Sequence, residues 1–157
     1  MPEAYRIRRL HWQLFATLTL RKPLCRRCSL PLVFSWLRAL SKMHQMQFGR
    51  LLWILRLEYG AKAGLPHYHL CIAGIPWASL DDRLCRPLES GWRTCGGGLS
   101  QVRLYDPARD GVGYILKVPY IPQDLLLCGE STSGIGGTDC EPMLSDSLIQ
   151  AVKRGRM

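Results

Sequence analysis

No apolar run in this 157-residue chain is long enough to span a bilayer, so nothing in it reads as a transmembrane helix. The basic start, Met1 to Arg9, is not followed by a signal-peptide core and cleavage site, which predicts a protein that works inside a cell. Acidic residues are scarce: 12 Asp and Glu stand against 21 Lys and Arg, for a net charge of +9. An excess of that size favours polyanions, and each phosphate contact would add salt-sensitive affinity. The seven cysteines lack any regular spacing, and Cys25-Arg26-Arg27-Cys28 is a CxxC pair with no second pair and no downstream His pair. A zinc ribbon is therefore short of half its ligands, and the cysteines read as reduced thiols. Repeats are absent, and Gly129 to Cys140 is the one biased stretch, rich in Gly, Ser and Thr and expected to be mobile.

What is present is a length suited to one domain with its own apolar core. Residues 12–20 alternate and are rich in β-formers, which predicts a strand. Val33, Phe34, Leu37, Leu40 and Met43 recur at helical spacing within a helix over 30–47, with Ser29 as its N-cap and Pro31 in its first turn. Residues 50–59 and 67–74 read as two strands joined through Gly60-Ala61-Lys62-Ala63-Gly64. A short helix is expected around 79–85, a loop over 86–98 because of Pro87, Gly91 and Gly96-Gly97-Gly98, and a strand over 99–105. Asp106-Pro107-Ala108 opens a helix to about Val118, and a terminal helix spans about 143–153. The order predicts an α+β fold, a central antiparallel sheet flanked by helices, with one unit over 1–128 and a Gly/Ser-rich segment with a basic helix over 129–157.

The chemistry is concentrated in Pro66-His67-Tyr68-His69-Leu70. Side chains alternate along a strand, so His67 and His69 leave one face together while Tyr68 and Leu70 leave the other. Glu58 closes the preceding apolar strand, where a carboxylate is costly unless it has a partner. In a hairpin it reaches the two imidazoles, a donor set suited to a catalytic metal with open positions. Tyr114 and Lys117 lie three residues apart on the expected helix, with Gly111 and Gly113 removing bulk where a DNA backbone would approach. A phenol is a poor nucleophile near its ordinary pKa of about 10 and needs a cation beside it. Arg6, Arg8, Arg9, Arg21, Lys22, Arg26 and Arg27 flank the first strand with aromatic residues between them, a composition that can follow single-stranded DNA.

The order Phe15-Ala16-Thr17-Leu18-Thr19, then Glu58 with Gly64-Leu65-Pro66-His67-Tyr68-His69-Leu70, then Tyr114-Ile115-Leu116-Lys117 resembles the HUH endonucleases, over about residues 12–120. It looks closest to the rolling-circle replication initiators of small plasmids and single-stranded DNA phages or viruses. The resemblance implies a five-stranded antiparallel sheet with His-x-His on a central strand. It implies Mg²⁺ or Mn²⁺ on Glu58, His67 and His69, Tyr114 as the single catalytic tyrosine and Lys117 as its motif lysine. The implied partners are single-stranded DNA at a replication origin, often a hairpin, with a host helicase and polymerase, since no Walker A pattern follows. The implied location is the cytoplasm of a bacterial or archaeal host, or a eukaryotic nucleus. Related single-tyrosine transposases share the order of motifs, whereas mobilisation relaxases place the tyrosine before the histidines. Beside this stand a non-heme iron oxygenase, which leaves Tyr114 and Lys117 unused, and a non-catalytic nucleic-acid-binding module.

Overall fold

The computed structural model describes residues 2–59, 65–116 and 142–154. Its elements run α1 (Pro2–Arg8), β1 (Leu14–Thr19), α2 (Arg26–Met43), β2 (Leu52–Tyr59), β3 (Pro66–Ala73), α3 (Cys85–Thr94), β4 (Ser100–Leu104), α4 (Gly111–Leu116), β5 (Met143–Leu144) and α5 (Asp146–Arg154). The five strands form one sheet in the order β4-β1-β3-β2-β5, with every pair antiparallel. The α+β class and the helix-flanked antiparallel sheet are as the sequence led us to expect. None of the described helices is long and apolar enough to cross a membrane.

Strand alternation divides the core into two layers. Leu14, Ala16 and Leu18 of β1, Trp53, Leu55 and Leu57 of β2, and Tyr68, Leu70 and Ile72 of β3 form a cluster with Val33, Trp36, Leu37 and Leu40 of α2 and with Leu88 and Trp92 of α3. The intervening residues Phe15, Ile54, Cys71 and Ala73 form a second cluster with Ile7 of α1, Val112 and Ile115 of α4, and Leu148 and Val152 of α5. Each fully buried large aliphatic side chain contributes about 1.5–3 kcal/mol relative to exposure. The second layer covers only part of its face, and the metal-ligand candidates occupy the same face beyond it.

Several local readings need correction. The N-cap of α2 is Cys25, whose Sγ accepts the Cys28 N–H at 3.4 Å, so the helix starts four residues earlier than Ser29 would place it. Ser29 is buried instead and its hydroxyl lies 2.6 Å from that of Tyr68. Residues 86–94, part of the 86–98 stretch expected as loop, are helical within α3. Pro87 falls in the first turn, where a helix needs no N–H, and Gly91 lies where an added Cβ would sit 3.8 Å from the Trp36 ring. The helix expected over 79–85 is replaced by two 3-10 turns, Trp77–Ser79 and Asp82–Leu84. The basic N-terminus, read only for its charge, is a helix anchored by Ile7. The turn 60–64, the continuation to Val118 and the stretch 129–140 lie outside the described residues.

The outer edge of β4 is covered from α3, where a Glu89 oxygen accepts the Val102 N–H at 2.9 Å. At the other end of the sheet face, Gln13 is buried and its amide bridges both backbone groups of Ile75, donating to the carbonyl and accepting from the N–H at 2.8 Å each. Gln13→Ala leaves those two buried groups without this partner, so chemical denaturation should show a loss of about 2–4 kcal/mol. An unchanged denaturation midpoint would show that Ile75 is hydrogen-bonded by other means.

Candidate metal centre

β3 lies between β1 and β2, and the two ladders set the site. Glu58 of β2 is directly opposite His67, and Thr17 of β1 is directly opposite His69. Because register fixes which face a side chain takes, the Glu58 carboxylate and both imidazoles project from one surface. Glu58 Oε2 lies 3.2 Å from His69 Nε2 and 3.6 Å from His67 Nε2. One ligand atom from each of the three residues falls within 4.8 Å of the others. The two rings meet edge to face, with centroids 4.8 Å apart.

The donor set suits a divalent cation: two imidazole nitrogens and a carboxylate oxygen, converging from paired strands. Thr17 Oγ1 lies 3.1 Å from His69 Nδ1. In the metal-free site Nε2 is the nitrogen that donates to Glu58; with a cation bound, the proton would sit on Nδ1 and be donated to the Thr17 hydroxyl, leaving the Nε2 lone pair for the metal and the ring orientation fixed. Beside it the Phe15 ring stacks on His69 at 5.8 Å, and the Arg103 guanidinium lies over the Phe15 ring, 4.7 Å from its centroid. Thr17 belonged to the sequence motif but carried no assigned role, and cross-strand register is the signal that assigns one. Arg56 is also buried on this face, opposite His69 in the ladder, and its sequence signal was a charge within an apolar strand.

Glu58 is only 6% exposed. Burial by itself pushes its carboxyl upward, but hydrogen bonds from His67, His69 and Tyr114 outweigh that and hold it well below the usual carboxylate range. The site therefore keeps an ionised carboxylate where a cation would need one.

Tyr114 comes from α4, packed across the sheet. Its hydroxyl donates to Glu58 Oε2 at 2.7 Å, and its ring meets His69 edge to face at 5.0 Å. Tyr114 as a residue is 41% exposed, which puts it at the rim of the site. The glycines before it act differently from the expectation of an open approach for DNA. A Cβ on Gly111 would come within 2.5 Å of the Phe15 ring, so its absence lets α4 sit down on the sheet. A Cβ on Gly113 would come within 2.0 Å of the Asp110 carboxylate. That carboxylate accepts the Gly113 N–H at 3.1 Å, with Asp110 in the left-handed region at φ 44°. Both glycines serve the seating of Tyr114 over Glu58.

The basic residues divide between two places. Arg6 in α1 is half-buried and donates to the Val152 carbonyl at 2.9 Å. Arg8 is 3.9 Å from Asp110, and Arg9 lies over the Tyr5 ring. Arg21 and Lys22 are exposed on the connection after β1, whose far end pairs with His67, and Arg26 and Arg27 occupy the first turn of α2. Lys117 lies outside the described residues. No family model, no curated protein and no solved structure matches this chain.

Two measurements test the centre. Thr17→Val keeps the shape but removes the hydroxyl, and calorimetric titration with Mn²⁺ should show roughly 10-fold weaker binding, in the range known for partners of metal-bound histidines. Equal affinity would mean that Thr17 does not orient His69. Without metal, the depressed Glu58 ionisation stabilises the fold fully above its unfolded value, roughly pH 4.3, and less as pH falls below it. The stability gap between the wild type and Glu58→Gln, read by urea denaturation, should therefore be widest at neutral pH and narrow in acid. A gap that is constant with pH would show that the ionised carboxylate adds nothing.

Proposed function

We propose that this protein nicks and rejoins single-stranded DNA through a covalent 5′-phosphotyrosine, as an initiator of rolling-circle replication. The observation that carries the reading is the hydrogen bond from the Tyr114 hydroxyl to Glu58, the carboxylate of the metal-ligand group. A tyrosine that merely packed on the sheet would have no reason to bring its hydroxyl to the ligand atoms. An oxygenase built on the same three ligands would leave it unexplained. The order of motifs in the sequence supports the same conclusion.

Glu58, His67 and His69 would hold Mg²⁺ or Mn²⁺. Such an ion supplies Lewis-acid polarisation of a phosphate oxygen and eases ionisation of a neighbouring phenol. Tyr114 would attack phosphorus: its oxygen forms the new ester, the bond to the 3′-oxygen breaks, and that oxygen takes a proton from solvent to leave a free 3′-hydroxyl that can prime synthesis. Glu58 is too weak a base to keep the phenolic proton, so its role is to aim the hydroxyl, and the proton passes to solvent at the exposed rim. The ester conserves the energy of the phosphodiester, so a returning 3′-hydroxyl reverses the reaction and rejoins the strand without a nucleotide cofactor. Exposed Arg21 and Lys22 follow the end of β1 that pairs with His67, where they can meet a polyanionic backbone.

The test is incubation with a random pool of single-stranded oligonucleotides and Mn²⁺, followed by denaturing electrophoresis. A slower protein band that is resistant to heat, carries DNA and disappears in Tyr114→Phe is the expected result. DNA retained without any covalent species, across the pool, would assign the chain to non-catalytic binding instead. Sequencing the captured strands gives the cleavage site.

A further inference from the structure

The first turn of α2 presents a second chemical group, remote from the layer that carries the metal ligands. Cys25 occupies the N-cap and Cys28 the third position of the same turn, with the Cys25 sulfur accepting the Cys28 N–H at 3.4 Å. The Cys25 sulfur is thus already beside the backbone of Cys28, and a bridge between the two thiols needs their Cβ atoms to close to about 3.5–4.5 Å, an adjustment of this one turn. Cys28 is exposed and Cys25 half-buried, so a small reagent can reach the pair.

The turn is also held still. The Ser29 hydroxyl donates to the Cys25 carbonyl at 2.9 Å and lies 2.6 Å from the hydroxyl of Tyr68, which is fully buried in β3 between His67 and His69. The helix start that carries both thiols is thus tied to the central strand. Arg26 and Arg27 between them supply positive charge to a forming thiolate. The remaining described cysteines differ. Burial pushes the Cys71 thiol far up and makes it inert, and the Cys85 and Cys95 thiols are raised by burial as well.

We propose that Cys25 and Cys28 are a redox-exchangeable pair, oxidised to an intramolecular disulfide by a low-molecular-weight disulfide of the glutathione class. In the first step the Cys25 thiolate attacks one sulfur of the reagent, the reagent's S–S bond breaks and one thiolate leaves. In the second step the Cys28 thiol loses its proton and attacks the Cys25 sulfur of the mixed disulfide, releasing the second thiolate. The two protein thiols lose two electrons and two protons, and the reagent gains both as two thiols. The order of attack follows from the pair itself. The hydrogen bond with Cys25 and that sulfur's charge keep the proton on Cys28.

The test uses the full chain, freed of metal, equilibrated in mixtures of reduced and oxidised glutathione, quenched with N-ethylmaleimide and cleaved after glutamate. The fragment from 4 to 58 contains Cys25 and Cys28 and no other cysteine. The expected result is a fragment lighter by two hydrogens that takes no maleimide, at a glutathione ratio at which Cys71, Cys85 and Cys95 are still fully labelled once the protein is denatured. In Cys28→Ser the same fragment should gain one glutathione, because the first exchange has no second thiol to resolve it. A wild-type fragment labelled twice at every ratio overturns the proposal. So does a fragment joined to one containing Cys128 or Cys140, or a Cys28→Ser fragment that never acquires glutathione.

Discussion

The hydrogen-bonded pairing of β3 with a neighbour on each side is the constraint from which the candidate centre follows. It puts Glu58 opposite His67 and Thr17 opposite His69, so four side chains from three strands share one face. A slip of one residue in either ladder would turn the carboxylate or the hydroxyl to the other side. The slip is resisted by the opposite face, where Leu55, Leu57, Tyr68 and Leu70 are completely buried against α2 and α3. The packing of one layer therefore sets the aim of polar groups on the other.

That layer cost is visible in Glu58 and Arg56, both charged and both almost sealed from solvent. An ion in such a place is tolerated only with close polar partners. For Glu58 they are two imidazoles and a phenol, and these are the groups a metal-dependent attack would use. The groups that stabilise the ionised carboxylate are the same ones the proposed attack would need, so removing any member disturbs the fold and the site together.

Much of this was legible in the sequence because alternation is a strong signal. His67, His69 and the apolar runs around Glu58 declared strands and faces, and the sheet has the predicted class. What sequence could not provide was anything dependent on three-dimensional neighbours. Gly111 and Gly113 looked like room for a ligand and turn out to be contacts with Phe15 and Asp110. Pro87 and Gly91 looked like loop residues, yet a first-turn proline costs a helix nothing and Gly91 faces a tryptophan. Ser29 had the composition of a cap and was taken instead by a buried tyrosine. Thr17 was part of a motif with no assigned role until its position across from His69 was known.

Glu89, reaching from α3 to the Val102 N–H, has a consequence beyond holding a helix in place. An exposed strand margin is a template on which a second polypeptide can add itself, and such growth leads to aggregates. A carboxylate already seated on that margin occupies a donor the intruder would require and greets its carbonyl groups with negative charge. At β4 the fold in this way closes to copies of itself the margin on which they could add a strand.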